Sequence, residues 1–228
     1  MSSLSCTKAS SDKAAIANDL GITGGNITLM GWFNPQAQPA TNTNHGYASQ
    51  GDAGTFVKYG IMYQDAAGTK QLRVARRREG VAEGDIIDNV TLSDGTWYHL
   101  ALTYDGTNLR GYKDGVEMTN SPLATSGDGS ASANDHAEIC RVFDGAADAA
   151  FGTVLAKDVY IFNAALSAAN IIKFMLKAPS DNETNLSGKY LCDENTGTTI
   201  KNHAGATDLA MTGSTVAFAS NNQPYSMK

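Results

Sequence analysis

At 228 residues with 42% hydrophobic side chains, the chain is long enough to bury a sizeable core, and one large all-β domain fits that length. A formal net charge of −6 argues against nucleic acid as a partner. No apolar run approaches the roughly 18 residues that a membrane-spanning helix requires.

Only 18% of the residues are charged, and Gly, Ser, Thr and Asn are abundant, a composition suited to short strands joined by turns. In chain order, strand-like runs fall at 26–34, 55–64, 70–76, 85–92, 97–104, 108–113, 116–119, 137–143 and 152–162. Weaker runs fall at 13–17, 188–192, 207–211 and 215–219. Turn-forming clusters separate them, such as "GDAG" at 51–54, "DAAG" at 65–68 and "SGDGSASAND" at 126–135. One helix is predicted: Ser167 caps "AANIIKFMLK", and Pro179 lies just past its end. Ile171 with Met175, and Ile172 with Leu176, recur at i and i+4 and predict the apolar stripe that meets the sheets.

The stretch "TWYHLALTYDGTNLRGYKDGVEM" (96–118) carries two Asp-Gly pairs among aromatic and aliphatic residues. Tyr98, Leu100, Leu102 and Tyr104 alternate with Trp97, His99, Ala101 and Thr103, so successive side chains face opposite sides of one strand. Both sets are largely apolar, as in a central strand covered on both faces. Asp105-Gly106 and Asp114-Gly115 then read as hairpin corners, because tight turns need positive φ. Many strands with one short helix predict an all-β, two-sheet antiparallel sandwich.

Cys6, Cys140 and Cys192 form an odd set without CxxC spacing, which indicates neither a disulfide framework nor a zinc site, and Cys140 reads as a buried free thiol. His45, His99, His136 and His203 are scattered without a ligand-spaced neighbour, so no metal cluster is expected. The opening segment lacks a basic stretch followed by an apolar core, which reads either as synthesis and folding in the cytoplasm or as a leader missing from this chain. Sequons at Asn26, Asn89, Asn182 and Asn185 are consistent with chance in so Asn- and Thr-rich a chain.

The order of "NITLMGWFNP" (26–35), "DGTWYHLALTYDGTNLRGYKDGVEM" (94–118) and "VLAKDVYIFNAALSAANIIKFM" (154–175) resembles the laminin-G-like, concanavalin A-like jelly-roll family. Trp32, Pro35, Trp97, Tyr98, His99, Tyr104, Asp105, Gly106, Asp114, Gly115, Ala165, Leu166 and Ser167 match its pattern. The segment "LSGKYLCDENTGTTIKNHAGATDLAMTG" (186–213) is similar to a family run that usually precedes the Trp strand, whereas here it follows the helix. The resemblance implies a jelly roll over 1–228 as a single domain, with 186–219 completing the sandwich. It also implies a calcium site at one edge, but Lys157 stands where a ligand carboxylate is expected and Asp12 is nearly alone near the start. Calcium requires six to eight oxygens, so no cofactor is expected, calcium being the one open alternative. Asp144 and Asp148 read as loop residues.

The same fold hosts glycoside hydrolases, and "EGDIID" (83–88) is similar to their E-x-D-x-x-E run, in which retaining carboxyl groups stand about 5–5.5 Å apart. Asp88 in place of Glu, Gly84 in place of an aliphatic residue, and Glu83 in a turn argue against it, so no enzyme is expected. Arg76, Arg77 and Arg78 form the basic cluster of an acidic protein, either contacting an anionic glycan or acidic partner or guarding a strand edge. Tyr47, Tyr59, Tyr63 and Tyr112 are candidates for stacking on sugar rings, although alternation places most of them in the core.

The resemblance implies a recognition or structural module with a glycan or protein partner on an exposed surface, in a larger assembly or homo-oligomer. No nucleic acid or membrane partner is expected. The expected setting is the exterior of a phage or other virus particle. The alternatives are a secreted or cell-surface lectin-like protein, or an accessory glycan-binding module of a glycoside hydrolase.

Overall fold

The computed structural model describes residues 2–16, 20, 22, 25–52, 56–76, 84–125, 135–142, 150–205 and 207–220. The first half contains β1 (Ser2–Cys6), β2 (Lys13–Ile16), β3 (Asn26–Pro35), β4 (Asn44–Asp52), β5 (Phe56–Ala66), β6 (Thr69–Arg76), β7 (Asp85–Asn89), β8 (Tyr98–Asp105) and β9 (Asn108–Lys113). There follow β10 (Val116–Glu117), β11 (Leu123–Ala124), β12 (Asp135–Ile139), β13 (Arg141–Val142), β14 (Ala150–Phe151) and β15 (Val154–Phe162). The helix α1 (Ala168–Leu176) precedes β16 (Leu186–Tyr190), β17 (Thr199–Ile200), β18 (Leu209–Thr212) and β19 (Ala217–Ser220).

Two antiparallel sheets face each other. Sheet A runs β10-β9-β8-β3-β15-β1-β19, with β11 also on β9 and β16 also on β15. Sheet B runs β17-β18-β2-β12-β4-β5-β6-β7. Between them lie Leu29, Phe33, Tyr47, Tyr63, Leu100 and Leu102, all in one buried cluster. Burial of each such side chain contributes about 1.5–3 kcal/mol. The segment after the helix enters both sheets: β16 pairs with β15, β18 with β2, and β19 with β1.

β8 is covered on both faces, as its sequence predicts. Leu100, Leu102 and Tyr104 face the inter-sheet core. Ala101 faces outward into a second cluster with Met30, Tyr160, Phe162, Ile171 and Phe174, beneath α1. The Asp-Gly corners hold as well. Gly106 and Gly115 take φ of 89° and 79°, and Asp105 accepts hydrogen bonds from the Thr107 and Asn108 amides.

The helix begins where predicted, with Ser167 Oγ accepting from the Asn170 amide at 3.3 Å. Its buried face differs from the predicted stripe. Ile171 and Phe174 are buried, with Phe174 stacked on Phe162 at 5.2 Å between ring centroids. Ile172 and Leu176 are instead exposed. The aromatic contact decides the rotation about the helix axis, which periodicity leaves open where residues 171, 172, 174, 175 and 176 are all apolar.

The cysteine reading is corrected. Cys6 and Cys140 form a disulfide across 134 residues, joining the end of β1 in sheet A to the end of β12 in sheet B. The buried free thiol is Cys192. Strands β1 and β4, and the two-residue strands β11, β14 and β17, are additional to the predicted set. The polar, Gly-containing "NHGYASQGD" of β4 lacks the usual alternation, yet it is central because β12 and β5 flank it. Gly46 is needed there: a Cβ would lie 2.2 Å from both Ala150 O and Val142 N, where the β13–β14 ribbon crosses the strand. No helix among the described residues is long and apolar enough to cross a membrane.

Candidate functional site

The residues singled out by sequence do not come together. Arg76 is buried at 1% exposure, its guanidinium 3.9 Å from the centre of the Tyr104 ring and its Nη1 donating to Thr125 Oγ1 at 3.0 Å. It therefore presents no surface charge to an anionic ligand. Nor does it guard an edge, since β6 is paired on both sides, with β5 and β7. Arg77 and Arg78 lie outside the described residues.

Tyr47 is corrected too. It is fully buried and stacks on Phe33 at 5.4 Å between centroids, so it offers no face to a sugar ring. Its hydroxyl lacks a hydrogen-bond partner among the described residues, and burial pushes its pKa well up. Tyr59, Tyr63 and Tyr112 are buried as well.

The edge that the resemblance assigns to calcium does not fit the ion. Asp12 is fully buried. Its Oδ2 accepts from the Thr7 amide and the Thr215 hydroxyl, and its Oδ1 from the Thr215 amide. Those donors take three of the carboxylate's roughly four acceptor positions, so this edge offers calcium few of the six to eight oxygens it needs. Lys157 places its ammonium 3.3 Å from Asp158. Asp144 and Asp148 lie outside the described residues.

The hydrolase-like run does not converge either. Asp85 and Asp88 are three residues apart on β7, so the pleat turns them to opposite faces. Asp85 pairs with Arg73, whereas Asp88 reaches across to the segment after β10. Glu83 lies outside the described residues.

That crossing of Asp88 defines a cleft. β7 ends sheet B and β10 ends sheet A, and the sandwich opens between these edges into a cleft of about 640 Å³. Asp88 ties the edges together: its Oδ2 accepts from the Thr119 amide at 2.7 Å and its Oδ1 from the Asn120 amide at 3.2 Å. Asn120 Nδ2 donates back to Ile87 O at 2.6 Å. Leu72 and Met118 lie at the buried end. Gly111 makes room for Met118, because a Cβ there would lie 2.5 Å from the Met118 sulfur.

Ile87 and Val90 bring apolar surface from the β7 side, and Val116, 71% exposed, brings it from the β10 side. The β10 side is otherwise polar. Lys113 donates to Asp114 Oδ2 at 2.8 Å, and Asp114 Oδ1 accepts from the His99 amide at 2.9 Å. Glu117 Oε1 accepts from Arg110 at 3.0 Å and from Ser121 Oγ at 2.7 Å. Behind this rim the His99 ring is buried against Trp32, at 5.4 Å between centroids. Burial lowers its pKa to about 4, and the Asp114 charge opposes that only in part. Apolar side chains with a few fixed polar groups in a cleft of this size are the usual make-up of a small-ligand site.

Elsewhere, Asp193, Glu194 and His203 bring one ligand atom each within 4.8 Å of one another. Glu194 Oε1 already accepts from the Lys201 amide at 2.7 Å. Sequence spacing had left His203 without such neighbours.

Two facing antiparallel sheets with a helix laid on one outer face define a jelly-roll sandwich. A laminin-G-type family model, described as the concanavalin A-like lectin/glucanases superfamily, matches residues 8–172, and the chain belongs to that superfamily. No curated protein sequence matches the chain. Among solved structures, a candidate carbohydrate-binding protein of Bacteroides ovatus ATCC 8483 is similar over 100% of this chain, with 17% identity and a TM-score of 0.72. The chain spans 62% of that protein's length. The heptameric SAP-like pentraxin of Limulus polyphemus is similar over 94% of this chain and 95% of its own, at 14% identity and a TM-score of 0.60. Trypanosoma rangeli sialidase is similar over 69% of this chain but 23% of its own, at 17% identity and a TM-score of 0.51. At these identities the likeness is one of fold.

Proposed function

We propose that the protein is a non-catalytic, lectin-like glycan-binding module whose ligand occupies the cleft between β7 and β10. The observation that carries this reading is the cleft itself, lined by the exposed Val116 together with the fixed polar groups of Asp88, Asp114 and Glu117. Membership of a lectin and glucanase superfamily supports a saccharide as the ligand. The divergence of Asp85 and Asp88, and the hydrogen bonds and ion pairs that already hold Asp88, Asp114 and Glu117, favour binding without hydrolysis.

The Cys6–Cys140 disulfide favours a setting outside the reducing cytosol, because such bonds persist in oxidising compartments and on exposed surfaces. The match to a lectin and glucanase superfamily puts the lectin-like reading ahead of the virus exterior. A modest cleft of this kind binds a saccharide weakly, so a homo-oligomer or larger assembly would raise avidity.

The test is a neutral and charged glycan array probed with the full chain, followed by calorimetric titration and product analysis of each hit. Saturable binding without release of reducing ends is expected. Turnover that disappears in Asp88→Asn would overturn the non-catalytic reading, and an array without hits would overturn glycan binding.

A further inference from the structure

We infer, resting on the reading that this cleft binds glycans, that it accepts saccharides without acidic groups and excludes sulfated or uronate-bearing ones. Three carboxylates line it, from Asp88, Asp114 and Glu117, against the one ammonium of Lys113. That ammonium is bonded to Asp114 at 2.8 Å, and the nearby Arg110 guanidinium is bonded to Glu117 at 3.0 Å. An incoming sulfate or carboxylate meets paired cations and like charges, a juxtaposition that opposes association.

A sugar hydroxyl meets the opposite situation. An ionised carboxylate only accepts hydrogen bonds, and O–H···O⁻ bonds are among the stronger ones. Amides of the chain itself fix Asp88 and Asp114 before any ligand arrives, so little ordering is lost on binding. Ile87, Val90 and Val116 add aliphatic side chains from both edges for the C–H groups of a pyranose. A free amine on the sugar adds attraction to the carboxylate rim, so the accepted class is uncharged or amine-bearing.

Five probes test this by titration into the full chain at low salt. They are cello-, galacto- and chitosan oligosaccharides, with polygalacturonate and heparin oligosaccharides as the acidic arm. At least one uncharged probe is expected to bind, the chitosan probe at least as tightly, and the acidic probes at least tenfold more weakly. Replacing the exposed Val116 (Val116→Asp) should weaken the uncharged probe tenfold while leaving the melting temperature unchanged. The double change Asp114→Asn with Glu117→Gln should narrow the gap between acidic and uncharged probes. An acidic probe binding as tightly as the uncharged one overturns the charge selection while glycan binding stands. Unaltered binding by Val116→Asp overturns the assignment to this cleft. Silence from all five probes, together with an array without hits, overturns the glycan-binding reading itself.

Discussion

The Arg76 guanidinium lies 3.9 Å from the centre of the Tyr104 ring, joining sheet B to sheet A from inside the sandwich. A buried cation over an aromatic face gains about 2 kcal/mol or more, because neither partner competes with water. Arg76→Ala removes that contact and the hydrogen bond to Thr125, and leaves a void between the sheets. The expected loss of stability is about 2–4 kcal/mol, read from urea unfolding. A change within about 0.5 kcal/mol, as for a surface substitution, would contradict the buried position.

The Cys6–Cys140 disulfide closes a loop with a sequence separation of 134 and ties the two sheets together. On the chain-entropy account, a loop of that length stabilises by up to about 5 kcal/mol. Reduction, or the Cys6→Ala/Cys140→Ala pair, should lower the melting temperature by well over ten degrees. Labelling the unfolded, unreduced protein with a thiol reagent should modify one cysteine, Cys192. Three modified cysteines would show that the bond is absent.

Burial lowers the pKa values of His45 and His99 from 6.5 to about 4. The unfolded chain protonates these rings near pH 6.5, the folded chain only near pH 4. Their stabilisation is therefore fully present above pH 6.5 and is lost as pH falls toward 4, by about 3 kcal/mol per ring. Melting temperatures measured from pH 7.5 to 4 should fall across that window. His99→Gln should flatten the slope even where it lowers stability at pH 7.5. A wild-type profile that is flat between pH 7 and 4.5 would contradict the assignment.

Asp12 receives three hydrogen bonds from Thr7 and Thr215, and so fastens the turn before β19 to the loop after β1. Asp12→Ala should cost about 2–3 kcal/mol by leaving buried amides unsatisfied. Calcium is expected to make no difference, because those donors occupy the carboxylate. A ligand at a hundred times its Kd stabilises by about 2.7 kcal/mol, so chelator and millimolar calcium giving the same melting temperature is a sensitive check. A rise of several degrees with calcium would point to ligands elsewhere.

Truncation after Ala178 removes β16, β17, β18 and β19, which pair with β15, β2 and β1 in both sheets. We expect the shortened chain to be insoluble or to lose its cooperative melt, since it exposes strand edges and buried apolar surface together. A sharp, full-length-like transition would mean that the preceding residues form a sufficient domain by themselves.

Much of the sandwich is legible from local chemistry. The alternation in "YHLALTYD" and the Asp-Gly corners locate β8, β9 and β10, because side-chain period and positive φ are properties of a few neighbouring residues. Ser167 locates the start of α1 for the same reason. The order of the Trp32, Trp97 and Ala165-Leu166-Ser167 segments carries the family.

Of the candidate site, sequence singled out Asp88, but only as part of a hydrolase-like run whose departures argue against catalysis. Its role as a tie between two sheet edges depends on Thr119 and Asn120, which belong to the opposite side of the cleft. The same limit applies to Arg76, whose position in a run of arginines suggests a surface although its strand turns it inward.

What the sequence by itself determines here is the class of fold, the corners of its hairpins and the presence of one capped helix, all consequences of short-range periodicity and turn geometry. Tertiary structure alone decides the Cys6–Cys140 bond, the face of α1 that is buried, the central place of the polar β4, and the cleft at the sheet edges. Each of these depends on strands far apart in the chain meeting across the sandwich, and no local pattern encodes which distant partner a residue will face.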